Sequence, residues 1–536
     1  MSVIETDVFI AGSGPIACTF ARKIIEKHDS ARVYMVEIGS QDNPIPGAHQ
    51  KNSVKYQKDM DAFVNVIKGA LQPVSIPPGD AFNSTLGAAG WNPPVGGGGL
   101  VSEGFNPLQQ PELNLRGTAI TRTVGGMATH WTCSCPIPHP EERVNCPIDR
   151  TKFKDLLKQA GEILNVNENE FEISIRHREV KKVLKAAFPN REIKNIPLAV
   201  KRRADNPKLV TWTGSNTVLG GAISNKRLTI RDETRVTRVV RKQGTLDTIE
   251  AADLLDLRTN KKVAVKAKVF IIACGAICTP QILWNSDIKL QALGRYLCEQ
   301  SMTFCQVVLK KTIVDAISAN PDYKDAIDKH KRKYPSDPLP IPFDDPEPQL
   351  MIGYSDNAKY HVQIHRDAFS YGDVGPRSDP RVIVDFRFFG KQDVNKDNRV
   401  EFSPFSPLDW RPGVTDKYGM PQPTFYVQRS ADDAKRDQEM MEDMTKTALA
   451  VGPFLPGSYP QFMEPGLALH ITGTTRVGLD KEKSVADANS RVHGFKNLWV
   501  GGNNVIPDAT ASNPTRTSVA YAIKAADDVI SVLKST

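Results

Sequence analysis

Two short runs in this chain carry residue types that could do chemistry together. In Gly125-Gly126-Met127-Ala128-Thr129-His130-Trp131-Thr132 an imidazole stands just past a glycine turn. In Gly12-Ser13-Gly14-Pro15-Ile16-Ala17 two glycines and a small residue follow the apolar stretch Asp7-Val8-Phe9-Ile10-Ala11. The second run reads as the turn between a buried strand and a helix that grips a dinucleotide pyrophosphate. Gly12 makes the tight turn, Gly14 lets backbone approach the phosphates, and Ala17 packs the helix close to the strand. If that dinucleotide is FAD, His130 stands where a bound flavin could be attacked covalently.

The elements that must position these groups follow. Arg32-Val33-Tyr34-Met35-Val36-Glu37 reads as a second strand, and Glu37 ends it about 20 residues past the glycines, where an acid accepts ribose hydroxyls and disfavours a 2′-phosphate. Pro147 to about Leu164 reads as a helix leading away from the nucleotide domain. Lys268-Val269-Phe270-Ile271-Ile272-Ala273 reads as a buried strand that rejoins the nucleotide sheet, with Thr279-Pro280 opening the next helix. Ala81 to Leu100, with Gly96-Gly97-Gly98-Gly99, is too rich in breakers for a regular element and reads as a loop over a ligand. Tyr360-His361-Val362-Gln363-Ile364-His365 alternates, presenting His361, Gln363 and His365 on one strand face. By itself that segment reads more readily as an exposed edge strand and turn. Near the C-terminus Asn497-Leu498-Trp499-Val500-Gly501-Gly502 is a short strand, and Asn513-Pro514-Thr515 opens a helix.

The dinucleotide turn, the Thr129-His130-Trp131-Thr132 run and the C-terminal pair His470 and Asn513 resemble the glucose-methanol-choline (GMC) oxidoreductase family from end to end. His470-Ile471-Thr472-Gly473-Thr474-Thr475 is similar to that family's final segment, and His365-Arg366-Asp367-Ala368-Phe369-Ser370-Tyr371-Gly372 to its members that oxidise pyranose sugars. The resemblance implies an α/β fold in which an FAD-binding Rossmann-type domain (1–146, 225–300 and 466–536) is interleaved with a substrate domain (147–224 and 301–465) built on a mainly antiparallel sheet with helices. It implies FAD joined through His130 to the flavin 8α carbon, with Thr132 near flavin N5. His470 is assigned as the base that takes the hydroxyl proton while hydride passes to N5, and Asn513 as a hydrogen-bond donor to the same oxygen. Gln363, Asp367, Phe369 and Tyr371 are assigned to the sugar, whose hydroxyl rim and C–H faces suit polar groups beside aromatic rings.

The expected reaction is oxidation of a pyranose secondary hydroxyl, C2 favoured, to a ketosugar, with dioxygen reduced to peroxide or a quinone as acceptor. A glycoside 3-oxidase or sugar dehydrogenase on the same scaffold, and a non-catalytic flavoprotein, stay open.

Composition excludes other classes. The 536 residues, 40% hydrophobic and 24% charged, suit a large globular chain. The formal charge of +8 is scattered except at Lys201-Arg202-Arg203 and Lys329-His330-Lys331-Arg332-Lys333, both read as solvated surface, so nucleic acid is not an expected partner. No apolar run reaches the roughly 18 residues a membrane span needs, and Met1-Ser2-Val3-Ile4-Glu5 leads directly into the first strand without a signal peptide. The expectation is an intracellular, cytoplasmic protein, with a homo-oligomer left open. The eight cysteines lack metal-site spacing and read as reduced core thiols, no metal is expected, and Asp344-Asp345 reads as a solvated turn.

Overall fold

The computed structural model describes residues 2–77, 106–366, 374, 378–402, 415, 416 and 418–535. Asp367, Phe369, Tyr371 and the glycine-rich Ala81–Leu100 stretch lie outside the described residues.

The first body is built on a five-stranded parallel sheet in the order Leu228–Arg231, Val33–Val36, Val8–Ala11, Val269–Ile272, Leu498–Val500. Val8–Ala11 and Val269–Ile272 are fully buried, as parallel strands covered on both faces must be. The helix Pro15–Lys27 follows the first of them and packs on the C-terminal helix Thr515–Ser535. Ala17 and Ala21 on one helix, and Ala522 and Ala526 on the other, are small and buried, so the two axes can approach closely. Helix Arg150–Ile163 packs on the same C-terminal helix, with Phe153 against Tyr521.

The second body is a six-stranded sheet in the order Gln461–Phe462, Ser301–Val308, Ile383–Gly390, Tyr360–Ile364, Leu350–Ile352, Ile193–Asn195, antiparallel throughout. Alternation along the strands gives it two different faces. Tyr360, Val362, Ile364, Val384, Phe386 and Phe388 join a core closed by Met440, Met444, Ala448 and Val451 of helix Ala431–Val451. The other face carries His361, Gln363 and His365 beside Phe389, Arg387 and Asp385, by the register His361↔Phe389 and Gln363↔Arg387. Tyr360–Ile364 is therefore an interior strand with every residue buried, not an exposed edge.

Three local readings are corrected. Helix Gly275–Asn285 starts four residues before Thr279, so Pro280 lies inside it. Proline has no N–H for the Ala276 carbonyl, and the Thr474 hydroxyl supplies the missing donor at 2.6 Å. Thr279 instead accepts the N–H of Cys274. Asp345 is not a solvated turn residue. Its carboxylate is buried at the start of helix Ile175–Ala187, accepts the Ile175 N–H at 2.7 Å and pairs with Arg176, where the helix dipole favours negative charge. In the basic run, His330 is buried and hydrogen-bonds Asp337 at 2.6 Å.

Candidate active site

The dinucleotide turn is held by backbone geometry. Gly12 has φ +96°, and a Cβ there would sit 2.4 Å from the Ala273 carbonyl oxygen, so no other residue fits. A Cβ on Gly14 would meet nothing within 4 Å, which leaves the approach to the helix N-terminus open. Ser13, between them, donates its hydroxyl to Glu37 at 2.8 Å and accepts the N–H of Gly125 at 3.0 Å. That one side chain ties the phosphate turn, the acid and the His130 loop together. Burial pushes the Glu37 carboxyl up to about 7.

The loop to His130 turns on Gly125 and Gly126, at φ +103° and +56°, into the short helix Gly126–Thr129. His130 is buried, its Nε2 lies 2.8 Å from the Thr121 hydroxyl, and burial pushes the imidazole down to about 4. The ring is thus neutral, the state in which imidazole is a nucleophile. Trp131 donates its indole N–H to the Thr213 carbonyl at 2.7 Å, fixing the loop's far side.

His470 follows Leu469, whose φ of +60° is strained for a branched residue and turns the imidazole toward the cavity. Its Nδ1 lies 2.8 Å from the Gln300 side-chain oxygen. Its Nε2 lies 3.2 Å from Asn513 Nδ2. The Asn513 amide is oriented by its partners: Oδ1 accepts the Ser134 hydroxyl at 2.9 Å and the Gln363 amide. Nδ2 therefore faces His470. Burial pushes His470 down to about 3, so the ring is neutral and Nε2 can accept a proton.

A cavity of about 330 Å³ joins these parts, within the range of small-molecule sites. Gly12, Gly14 and Glu37 line one end, His130 and Thr132 border it, and His470 and Asn513 complete it. Ala17 does not line it and acts in helix packing. Gln363 lies one contact behind the wall, on Asn513, Ser134 and His365. Ser13, Ser134, Glu299 and Gln300 were not expected from the sequence. Only Ser13, inside the glycine turn, stood next to a signal. The open space before Gly14, the helix N-terminus, buried Glu37 and the cavity running on to His470 fit FAD. Among the described residues no group of His, Cys, Asp and Glu could hold a metal, and no helix is long and apolar enough to cross a membrane.

A Rossmann-type sheet whose dinucleotide turn opens on such a cavity, with a neutral histidine at its far end and an antiparallel sheet that meets the site through Gln363 on Asn513, defines an FAD-dependent oxidoreductase. The chain belongs to the GMC oxidoreductase family, whose models match residues 203–302 and 410–522. It is 58% identical to a pyranose 2-oxidase of Tricholoma matsutake over 98% of this chain and 94% of that one. It is 41% identical to a pyranose 2-oxidase of Lyophyllum shimeji (98% and 92% covered), and 31% identical to a C-glycoside 3-oxidase of Microbacterium trichothecenolyticum (97% and 96%). Among solved structures, a formate oxidase aligns over 100% of this chain and 99% of its own with TM-score 0.66 at 12% identity, a likeness of fold alone.

Proposed function

We propose that this enzyme oxidises a secondary hydroxyl of a pyranose sugar, C2 by preference, to a ketosugar. The observation that carries the reading is the convergence of His470 Nε2 and Asn513 Nδ2, 3.2 Å apart at the cavity wall, where both can reach one hydroxyl oxygen. FAD, when bound, takes the hydride and passes its electrons to dioxygen, giving hydrogen peroxide, or to a quinone. The protein's part is to move the proton. Neutral His470 accepts it at Nε2, and the Asn513 N–H limits charge on the oxygen as it leaves.

His130 is the site of covalent attachment to the flavin in this reading, and Thr132 lies beside the ring. Gly12, Gly14 and Glu37 hold the dinucleotide half, at the start of the helix that Ala17 packs closely. Asp367, Phe369 and Tyr371 are assigned to the sugar, and Gln363, one contact behind the cavity wall, acts on it through Asn513, which it orients. The partition into a cofactor domain of 1–146, 225–300 and 466–536 and a substrate domain of 147–224 and 301–465 belongs to the same proposal.

A second reading, oxidation of glycosides at C3, is favoured by the 31% identity to a C-glycoside 3-oxidase along nearly the whole chain. Carbon-13 NMR of the product formed from D-glucose separates them. A new carbonyl at C2 is expected. A carbonyl at C3, or turnover of C-glycosides with none of glucose, would replace the first reading with the second.

A further inference from the structure

The residue facing the other side of the His470 ring is Gln300, buried and held by hydrogen bonds to His470, Thr510 and Ser512. Its amide nitrogen donates to the carbonyl of Thr510 at 2.8 Å and to that of Ser512 at 3.1 Å. Two acceptors on that side leave the amide one orientation, with Oε1 turned to His470 Nδ1. An oxygen without hydrogen can only accept, so Nδ1 must carry the ring proton and Nε2 keeps its lone pair, which faces the cavity and the Asn513 N–H.

The same contacts reach Asn513. Thr510 and Ser512 lie on the segment that delivers it, and the N–H groups of Ala511 and Ser512 are held from the opposite side by Glu142 at 2.7 and 2.9 Å. Beside Gln300, Glu299 accepts the backbone N–H of His470 at 3.0 Å, and the paired backbones of Cys298 and Thr472 fix the register between the two segments. One dipeptide at the start of strand Ser301–Val308 thus grips the His470 ring, its backbone and the approach to Asn513.

We propose that Gln300 is a positioning residue that sets the tautomer of His470 and couples its ring to the segment presenting Asn513. The inference rests on the reading of His470 as the proton acceptor, but the tautomer itself is a property of the resting enzyme. The titratable groups facing the ring among the described residues are His361 on the sheet and Glu299 through the backbone. Burial pushes His361 down to about 4 and Glu299 up to about 8, so both are uncharged near neutrality and neither selects the tautomer.

The test uses oxidised holoenzyme labelled with ¹⁵N-histidine, the His470 signal being identified by its loss in His470→Ala. In the wild-type protein that signal is expected to show a protonated Nδ1. Gln300→Met, similar in length but without an acceptor, is expected to show mixed tautomers, the 3.2 Å contact of Nε2 with Asn513 Nδ2 being the bias that remains. Its limiting rate of anaerobic flavin bleaching by D-glucose should fall about 10²-fold, less than the ~10⁴-fold seen when a triad histidine is left in the wrong tautomer. The half-saturating glucose concentration should stay nearly unchanged. Gln300→Glu restores the acceptor, so it should recover the tautomer and part of the rate. Its carboxylate should also move the acid limb of the rate profile to higher pH.

Flavin content and melting temperature of each variant separate misfolding from mispositioning. A Met variant with the wild-type tautomer overturns the proposal, whatever its rate, and so does a Glu variant that restores neither tautomer nor rate. If sugars do not bleach the wild-type enzyme, the sugar reading fails while the comparison of tautomers still decides the role of Gln300.

Discussion

At the scale of single residues, the site depends on keeping an imidazole neutral. Burial lowers His470 to about 3, which means the charged form is disfavoured and the proton-accepting form prevails at every higher pH. Flavin bleaching by sugar should therefore show no limb from this group between about pH 5 and 8, the interval in which an ordinary imidazole titrates. A loss of rate with an apparent midpoint near the usual 6.5 would show that His470 is not held as described. Replacing His470 with Ala should slow bleaching by about 10²- to 10⁴-fold with FAD content unchanged. For His130→Ala, flavin should come free on acid precipitation, whereas wild-type protein should carry its yellow colour into the pellet. Free flavin from the wild type would rule out the linkage. His130, His470 and Asn513 were legible because their neighbours form motifs. Gln300 was not, because a glutamine before a strand has no distinguishing pattern until the chain brings residue 470 against it.

At the scale of elements, patterns that depend on periodicity survived folding and those that depend on distant partners did not. The alternation in Tyr360–Ile364 correctly placed His361 and Gln363 on one face, yet whether the strand was edge or interior depended on its two sheet neighbours, Leu350–Ile352 and Ile383–Gly390, which its own alternation does not reveal. Pro280 looked like a helix start because its missing N–H is costly within a helix. The Thr474 hydroxyl offsets that cost from nearly two hundred residues away. Asp345 looked solvated for the same kind of reason, since Arg176 and the N-terminus of helix Ile175–Ala187 are not its neighbours in sequence. Removing that carboxylate leaves a buried guanidinium short of a partner, so Asp345→Ala should destabilise the fold by about 3–5 kcal/mol. A denaturant midpoint within error of wild type would show the pair to be dispensable.

At the scale of the whole molecule, an unusual share of the histidines is buried and neutral. Burial lowers His49 and His470 to about 3 and His130, His177 and His361 to about 4, and it takes His365 well below its ordinary value. Between those values and 6.5 the unfolded chain binds more protons at these sites than the folded one, so stability falls as pH falls. Glu37 and Glu299 act the opposite way, since raised carboxyls favour the folded state at low pH and lose that advantage as pH rises through about 7 and 8. With His493 also lowered and Asp437 and Asp508 also raised, seven histidines against four carboxyls give the net sign. The melting temperature should drop from about pH 7 to about pH 5, and a rise over that interval would contradict this balance.

The two bodies matter together because the cavity between the dinucleotide turn and the His470–Asn513 pair is where sugar and flavin must meet. The direct test is to mix the oxidised enzyme anaerobically with excess D-glucose, follow the visible flavin band, then readmit air and assay peroxide. The band is expected to bleach and to return on aeration with hydrogen peroxide formed. A band left unchanged by glucose, other pyranoses and glycosides alike would contradict the proposed function.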